Sequence, residues 1–198
     1  MMKPEFVPNI LEFNEVEPKY KGRSGFLSEV IDGYFYSIYY KSGKMGICNQ
    51  NELISKKNLF YWTNKNNLYY KALKRQGIIN LLNNKKRNIV IQGYFIGPGI
   101  KNNRFKIDKI TFYCSRIYDI DLNKFMDYYE WITFCTIQRV LTIPVRRLNY
   151  CLEDYSKLQK EANKFSYLNS QVIQKGIAWQ PYNLSISIIA NNPNYLSL

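Results

Sequence analysis

The sequence predicts an α+β fold of antiparallel sheets with a few flanking helices. Runs rich in Val, Ile, Tyr and Phe recur along the chain, and stretches with helical apolar spacing lie between them. With 46% apolar residues in 198, there is enough material for a real core. No repeat, low-complexity tract or Pro/Gly/Ser linker interrupts residues 1–198, so a single domain is expected.

Residues 1–23, with Pro4, Pro8 and Pro18, form an irregular, partly extended lead-in. Phe26–Ile31 and Tyr34–Tyr40 are β-rich and meet at Asp32-Gly33, a hairpin-type signal. Ser42-Gly43-Lys44 turns the chain into a third strand near Met45–Asn49. Asn66–Asn83 has Leu68, Ala72, Ile79 and Leu82 at helical spacing, with Gly77 working against the helix. Ile89–Ile96 is a buried strand stopped by Gly97-Pro98-Gly99, and Ile110–Tyr118 is another. Leu122–Val140 is expected to be helical, with Phe125, Tyr129, Ile132, Cys135 and Thr136 near one face. Leu152–Phe165 is a second, charged helix, and strands return at Val172–Trp179 and Leu184–Ala190.

The chain has no histidine, which removes Ser-His-Asp and Cys-His triads, His-liganded metals and imidazole acid–base steps. Cys48, Cys114, Cys135 and Cys151 have no zinc or redox spacing, and are expected as free core thiols in a reducing compartment. No metal site or cofactor is expected. Residues 1–10 lack the apolar segment of a signal peptide, and no apolar run approaches the roughly 20 residues that span a bilayer. A cytoplasmic protein without membrane contact is the expectation.

Lys and Arg total 28 against 15 Asp and Glu, a net charge of +13. AT-rich codons explain part of the lysine excess, but they would spread it evenly. Instead residues 1–32 carry four cations and six carboxylates, residues 33–116 carry 16 and two, and residues 117–198 carry eight and seven. The surplus in the middle segment points to a basic face for a polyanion, nucleic acid first of all.

Several windows resemble the ATP-dependent RNA ligase family when taken in order. Phe26-Leu-Ser-Glu-Val-Ile-Asp-Gly33 stands where the family has nucleotidyltransferase motif I, a strand ending Lys-x-Asp-Gly. Gly46-Ile-Cys-Asn-Gln-Asn51 is similar to the following strand, often Val-Cys-Ser-Arg-Asn. Gln92-Gly-Tyr-Phe-Ile-Gly-Pro-Gly-Ile100 resembles motif III, Gln-Gly-Glu-Leu-x-Gly-Pro-Gly-Ile. Phe112-Tyr113 and Ile117-Tyr-Asp-Ile-Asp121 are similar to the Phe-rich strand after it. Lys175-Gly-Ile-Ala-Trp179 occupies the place of motif IV, Glu-Gly-Leu-Val-x, and Ser187-Ile-Ile-Ala-Asn191 that of motif V. The resemblance runs from about residue 26 to 195 and implies an RNA-ligase-like nucleotidyltransferase domain. Because the sequence stops near motif V, no C-terminal accessory domain is expected.

The resemblance also implies which chemistry has gone. The family's nucleophile is a lysine amine that attacks the α-phosphate of ATP, and the amine must be neutral to do so. Val30 stands there, and an isopropyl group cannot form a phosphoramidate. The carboxylates of motifs III and IV become Tyr94 and Lys175, and the Arg after motif I becomes Gln50. The motif V lysine becomes Ser187, with Asn194 and Leu198 near the next lysine positions. Asp32 and Gly33 match the family but serve a turn equally well. A pseudoenzyme without catalytic residues is therefore expected, with Lys21 or Lys175 as the rival nucleophiles.

Lys101, Arg104, Lys106 and Lys109, presented by a strand after the Gly-Pro-Gly loop, would form a phosphate-tracking stripe. Lys85, Lys86 and Arg87 are further candidates, partly explained by a helix C-terminus. Trp62, Trp131 and Trp179 are expected in the core or an interface, and Tyr94 as filling the former adenine site. The expected function is non-catalytic binding of RNA, tRNA or cleaved RNA ends, serving as immunity against a tRNA anticodon-nuclease toxin. The small size and AT-rich codons suit a killer plasmid, by analogy of fold alone. The alternatives are an antitoxin or assembly module that binds protein without RNA, and an active ligase with relocated residues.

Overall fold

The computed structural model describes residues 4–8, 11–15, 18–49, 68–85 and 87–195. Gln50, Trp62, Lys86 and Leu198, and the start of the helix expected from Asn66, lie outside them. The elements in chain order are β1 (Leu11–Phe13), β2 (Ser24–Glu29), β3 (Tyr34–Lys41), β4 (Lys44–Cys48), α1 (Leu68–Arg75), α2 (Ile78–Lys85) and β5 (Ile89–Ile96). Then follow β6 (Thr111–Asp119), β7 (Lys124–Phe125), α3 (Tyr128–Gln138), β8 (Val145–Cys151), α4 (Tyr155–Ala162), β9 (Gly176–Gln180) and β10 (Ile186–Asn191). The architecture is α+β, with two five-stranded sheets among the described residues.

The chain divides into two compact units. The first comprises the described parts of Met1–Asn9, Gly33–Asn103 and Ile107–Thr142. Its sheet has the order β4-β3-β5-β6-β7, antiparallel throughout. Ser42 and Gly43 both take positive φ, 49° and 78°, as a two-residue hairpin turn requires. Every β5 side chain except Tyr94 is buried. The expected long helix breaks into α1 and α2 at Gly77, whose φ of 75° no helix interior tolerates. Helix α3 starts at a complete capping box, Asp127 with Glu130. It buries Tyr128, Trp131 and Cys135 rather than the face expected from Tyr129 and Thr136. Phe125, which anchored the expected face, belongs to β7, and the helix begins only at Tyr128.

The second unit comprises the described parts of Ile10–Asp32, Arg104–Lys106 and Ile143–Leu198. Its sheet has the order β1-β10-β9-β2-β8, in which β1 and β10 run parallel and the other pairs antiparallel. Helix α4, capped by Asp154, lays Leu158 and Ala162 on Leu27, Ile177, Trp179 and Ile188. Fully burying a leucine such as Leu158 stabilises by about 1.5–3 kcal/mol.

Three expectations are corrected here. Phe26–Ile31 and Tyr34–Tyr40 are not a hairpin: β2 pairs with β8 and β9, and β3 pairs with β4 and β5. Asp32-Gly33 is the crossing point between the units, and the local Asp-Gly signal is overridden by pairing with distant strands. The lead-in contains β1, and β8 lies where no strand was expected. Cys151 is exposed, whereas Cys48, Cys114 and Cys135 are buried, and none is bridged. Trp131 and Trp179 are fully buried, with indole N–H groups donating to Cys114 Sγ and the Tyr150 carbonyl.

Candidate functional site

Adjacent strands of the second unit bring together the positions matching motifs I, IV and V. Strand β9 lies between β2 and β10, with Glu29 opposite Ile177 and Ile188 opposite Trp179. Just past the end of β2, the Val30 N–H donates to the Gly176 carbonyl at 3.0 Å. Val30, half-buried, therefore stands beside the Lys175-Gly176 step, at the position to which the family resemblance assigns a nucleophile.

Asp32 is the centre of a closed polar cluster. Lys175 Nζ lies 3.3 Å from Asp32 Oδ1, and the Tyr195 hydroxyl donates to Oδ2 at 2.9 Å. Burial first, and then the hydrogen bond to Asp32, push the Tyr195 phenol well above its ordinary range, so it remains a donor. The Arg104 guanidinium covers the Tyr195 ring at 4.5 Å and donates to the Tyr195 carbonyl. The turn Pro193–Tyr195 is held there by the Tyr195 N–H on the Asn192 carbonyl. Ser187 is buried in β10 in register with Glu12, and Asn194 donates to Asn163 at 3.1 Å. Lys21 is exposed, on the turn closed by its N–H to the Pro18 carbonyl.

The position matching motif III lies in the first unit. Tyr94 is half-buried in β5 and packs edge-on against Phe35, ring centroids 5.2 Å apart. Gln92 donates to Ser37 Oγ and to the Pro8 carbonyl, both at 3.0 Å. Gly33 is required by close approach: a Cβ there would lie 2.4 Å from the Phe95 carbonyl oxygen.

The basic candidates separate by what they touch. Residues 101–110 are a series of turns rather than a strand, with positive φ at Lys101, Asn103 and Lys106. Glycine at 97 and 99 and the Asn103 side chain, which bonds twice to Ile107, fold the segment back on itself. Lys101 and Lys109 belong to the first unit, Arg104 and Lys106 to the second. Lys101, Lys106 and Lys109 are exposed, whereas Arg104 is committed to Tyr195. Lys85 ends α2. Arg87 forms a double contact with the carboxylate of Asp119, which is buried. Burial alone would raise the Asp119 pKa, but the Leu122 N–H, Arg87 and the Asp121 N–H outweigh it and hold the group below its ordinary value.

Sequence reasoning missed Tyr195, Glu29 and Arg146. Glu29 is buried in β2 and accepts the Tyr167 N–H at 2.9 Å. Burial raises its pKa, against the pull of Ser166, Tyr167 and Arg146. Tyr195 is 163 residues from Asp32, and nothing local announces such a pair. Glu29 did carry a signal, being the one carboxylate in a strand otherwise suited to burial.

These residues do not fit the divalent metal that the family resemblance implies. Each oxygen of Asp32 is engaged, and the nearest charge is an ammonium, which repels a cation. No group of three or more Asp, Glu and Cys side chains is arranged to hold a metal among the described residues.

Residues 26–177 match the family model described as RNA ligase. The fold is similar to that of Naegleria gruberi RNA ligase. One mutant with AMP and manganese superposes with a TM-score of 0.87 at 23% identity, covering 99% of this chain and 59% of that one. Another mutant with ATP and manganese gives the same values. The ligase with pyrophosphate gives 0.86 at 22% identity, with coverage of 99% and 59%. This chain thus spans less than two thirds of the length of those it matches. No curated protein matches significantly. With the family model covering most of the sequence and the same fold along it, the chain belongs to the RNA ligase family.

Proposed function

We propose that this chain is a non-catalytic member of the family that binds RNA, with tRNA and cleaved RNA ends as its first candidates. The observation that carries the reading is the Asp32 cluster. Lys175, which adjoins the Gly176 bonded to Val30, is paired with a carboxylate at 3.3 Å. A paired ammonium has no lone pair with which to attack phosphorus. Val30 supplies no nucleophile, and the Tyr195 hydroxyl occupies the other Asp32 oxygen. The surplus of cations over residues 33–116 supports a polyanionic partner. Occupying tRNA whose anticodon loop has been cut is how such a protein would oppose an anticodon-nuclease toxin.

A salt-titrated binding assay with intact tRNA, anticodon-nicked tRNA and duplex DNA tests the reading. Preference for either tRNA that persists at roughly physiological salt supports it. Equal, weak binding that vanishes at that salt would overturn it.

A second reading, direct binding to a protein toxin, has its own observation. In the first unit, Met126, Tyr129, Phe134 and Ile137 line a groove of about 450 Å³ with Arg87 and Glu130 at its polar margin. It predicts a complex that is insensitive to salt and lost on Ile137→Asp.

A further inference from the structure

Phe165 and Tyr167 expose 58% and 63% of their surface. Large aromatics this open are rarely held still, yet the chain between them is fixed. Ser166, only 2% exposed, donates its N–H to the Val172 carbonyl at 2.8 Å, and its hydroxyl accepts the Leu168 N–H at 3.0 Å. Its side chain also bonds to Glu29, whose Oε2 accepts the Tyr167 N–H at 2.9 Å. Phe165 bridges to Ile173, and the Gln174 N–H donates to the Lys164 carbonyl at 3.0 Å. Alternation does the rest: with Ser166 pointing inward, its two neighbours point out.

A cation completes the arrangement. The Arg146 guanidinium lies 3.4 Å from the centre of the Tyr167 ring, and its Nη1 donates to the Phe165 carbonyl at 3.0 Å. Arg146 belongs to β8, the outer strand of its sheet, beside exposed Arg147. The charged groups facing it are known: buried Glu29 attracts Arg146, Arg147 lies over the Tyr150 ring, Lys164 pairs with Glu161, and Lys175 pairs with Asp32. The segments 143–151 and 163–175 contain Arg146, Arg147, Lys164 and Lys175 but no carboxylate.

We propose that Phe165, Tyr167 and Arg146 form a stacking platform for unpaired bases of single-stranded RNA, with Arg147 placed for the adjoining phosphate. The proposal rests on the reading that the chain binds RNA and names a site for it. Exposed rings on a fixed backbone offer stacking at little cost in order, and every base has a face to stack. The cationic border, free of exposed carboxylates on these segments, suits a polyanion better than an apolar protein surface.

The test uses the full chain and an RNA oligonucleotide with 2-aminopurine at each position in turn, whose fluorescence falls when the base stacks. The same sequence as a duplex is the control. The expected result is quenching at one or two positions and preference for the single strand. Phe165→Ala and Tyr167→Ala should each abolish quenching at one position and weaken single-strand binding by about 5- to 100-fold. Tyr167→Trp should retain both, and duplex binding should not change. Arg147→Gln should lower the salt slope by about 0.7, the value for one neutralised phosphate on a single strand. Both rings are exposed, so the alanine variants keep the wild-type melting temperature. RNA binding with no quenching, or quenching and affinity unchanged in the double alanine variant, overturns the platform and leaves the RNA-binding reading standing. Absence of all RNA binding by the wild type overturns both. Loss of a defined protein complex in the double variant, with RNA affinity unchanged, would assign the patch to protein and also overturn the platform.

Discussion

Lys175 Nζ lies 3.3 Å from Asp32 Oδ1, and Tyr195 donates to the other oxygen at 2.9 Å. At the two positions that the family resemblance assigns to nucleophile and metal ligand, the chain carries a valine and an ammonium. Restoring one partner leaves the other wrong. Val30→Lys should give no labelled protein with radioactive ATP and magnesium or manganese. A lysyl-adenylate stable to denaturation would show that Asp32, Lys175 and Tyr195 do not close the site.

Asp119 and Arg87 separate structural charge from RNA-binding charge. Asp119→Ala removes the acceptor for Arg87 and for the N–H groups of Asp121 and Leu122. Losing these charge-assisted hydrogen bonds, which are only part-buried, should cost about 1–3 kcal/mol in urea unfolding. Arg87→Gln, whose side chain is 45% exposed, should cost about 1 kcal/mol or less and leave RNA affinity within about twofold. A large loss of affinity would return Arg87 to the RNA face.

Glu29 gives a pH dependence with a definite sign. Its pKa in the fold is raised above 4.5, chiefly by burial. The fold therefore holds the Glu29 proton more tightly than the unfolded chain does. That stabilisation is fully present below pH about 4.5 and is lost as pH rises through the higher folded value. Glu29→Gln keeps an acceptor for the Tyr167 N–H and removes the titration. Relative to wild type it should gain stability as pH rises through this window, by at most about 1.4 kcal/mol per pH unit. Melting curves that stay parallel from about pH 4 to about pH 8 would contradict the raised pKa.

Lys106 and Lys109 are exposed, whereas Arg104 is tied to Tyr195. Charge reversal at Lys106 and Lys109 should weaken RNA binding and lower the salt slope by about 0.7–0.9 for each phosphate that is no longer neutralised, with the melting temperature unchanged. Arg104→Glu should instead lower the melting temperature, because it breaks the cover over Tyr195.

Much of this arrangement is legible in the sequence where the signal is local. The buried strand at Ile89–Ile96 and the Ser42-Gly43 turn follow from side-chain pattern and backbone freedom, and Gly77, which worked against the expected single helix, is where it divides. The family windows single out Val30, Lys175 and Ser187, which lie just past β2, just before β9 and within β10. What escaped depends on distant partners. The Asp32-Gly33 step looks like a hairpin until β2 is seen to pair with β8 and β9. Strand β8 has an outer edge and exposed side chains at Arg147, Leu148 and Asn149, so it lacks the alternation of a half-buried strand. Arg146 and Tyr167 lie in a stretch whose charges nearly cancel, and charge counting passed over them. The contact of Tyr195 with Asp32 has no signal in sequence at all.

The most direct measurement incubates the purified wild-type chain with α-labelled ATP, divalent metal and nicked tRNA, then reads RNA binding and covalent label in the same sample. The account predicts RNA retained by the protein and no label on either molecule. Label on the protein or on the RNA 5′ end would contradict it.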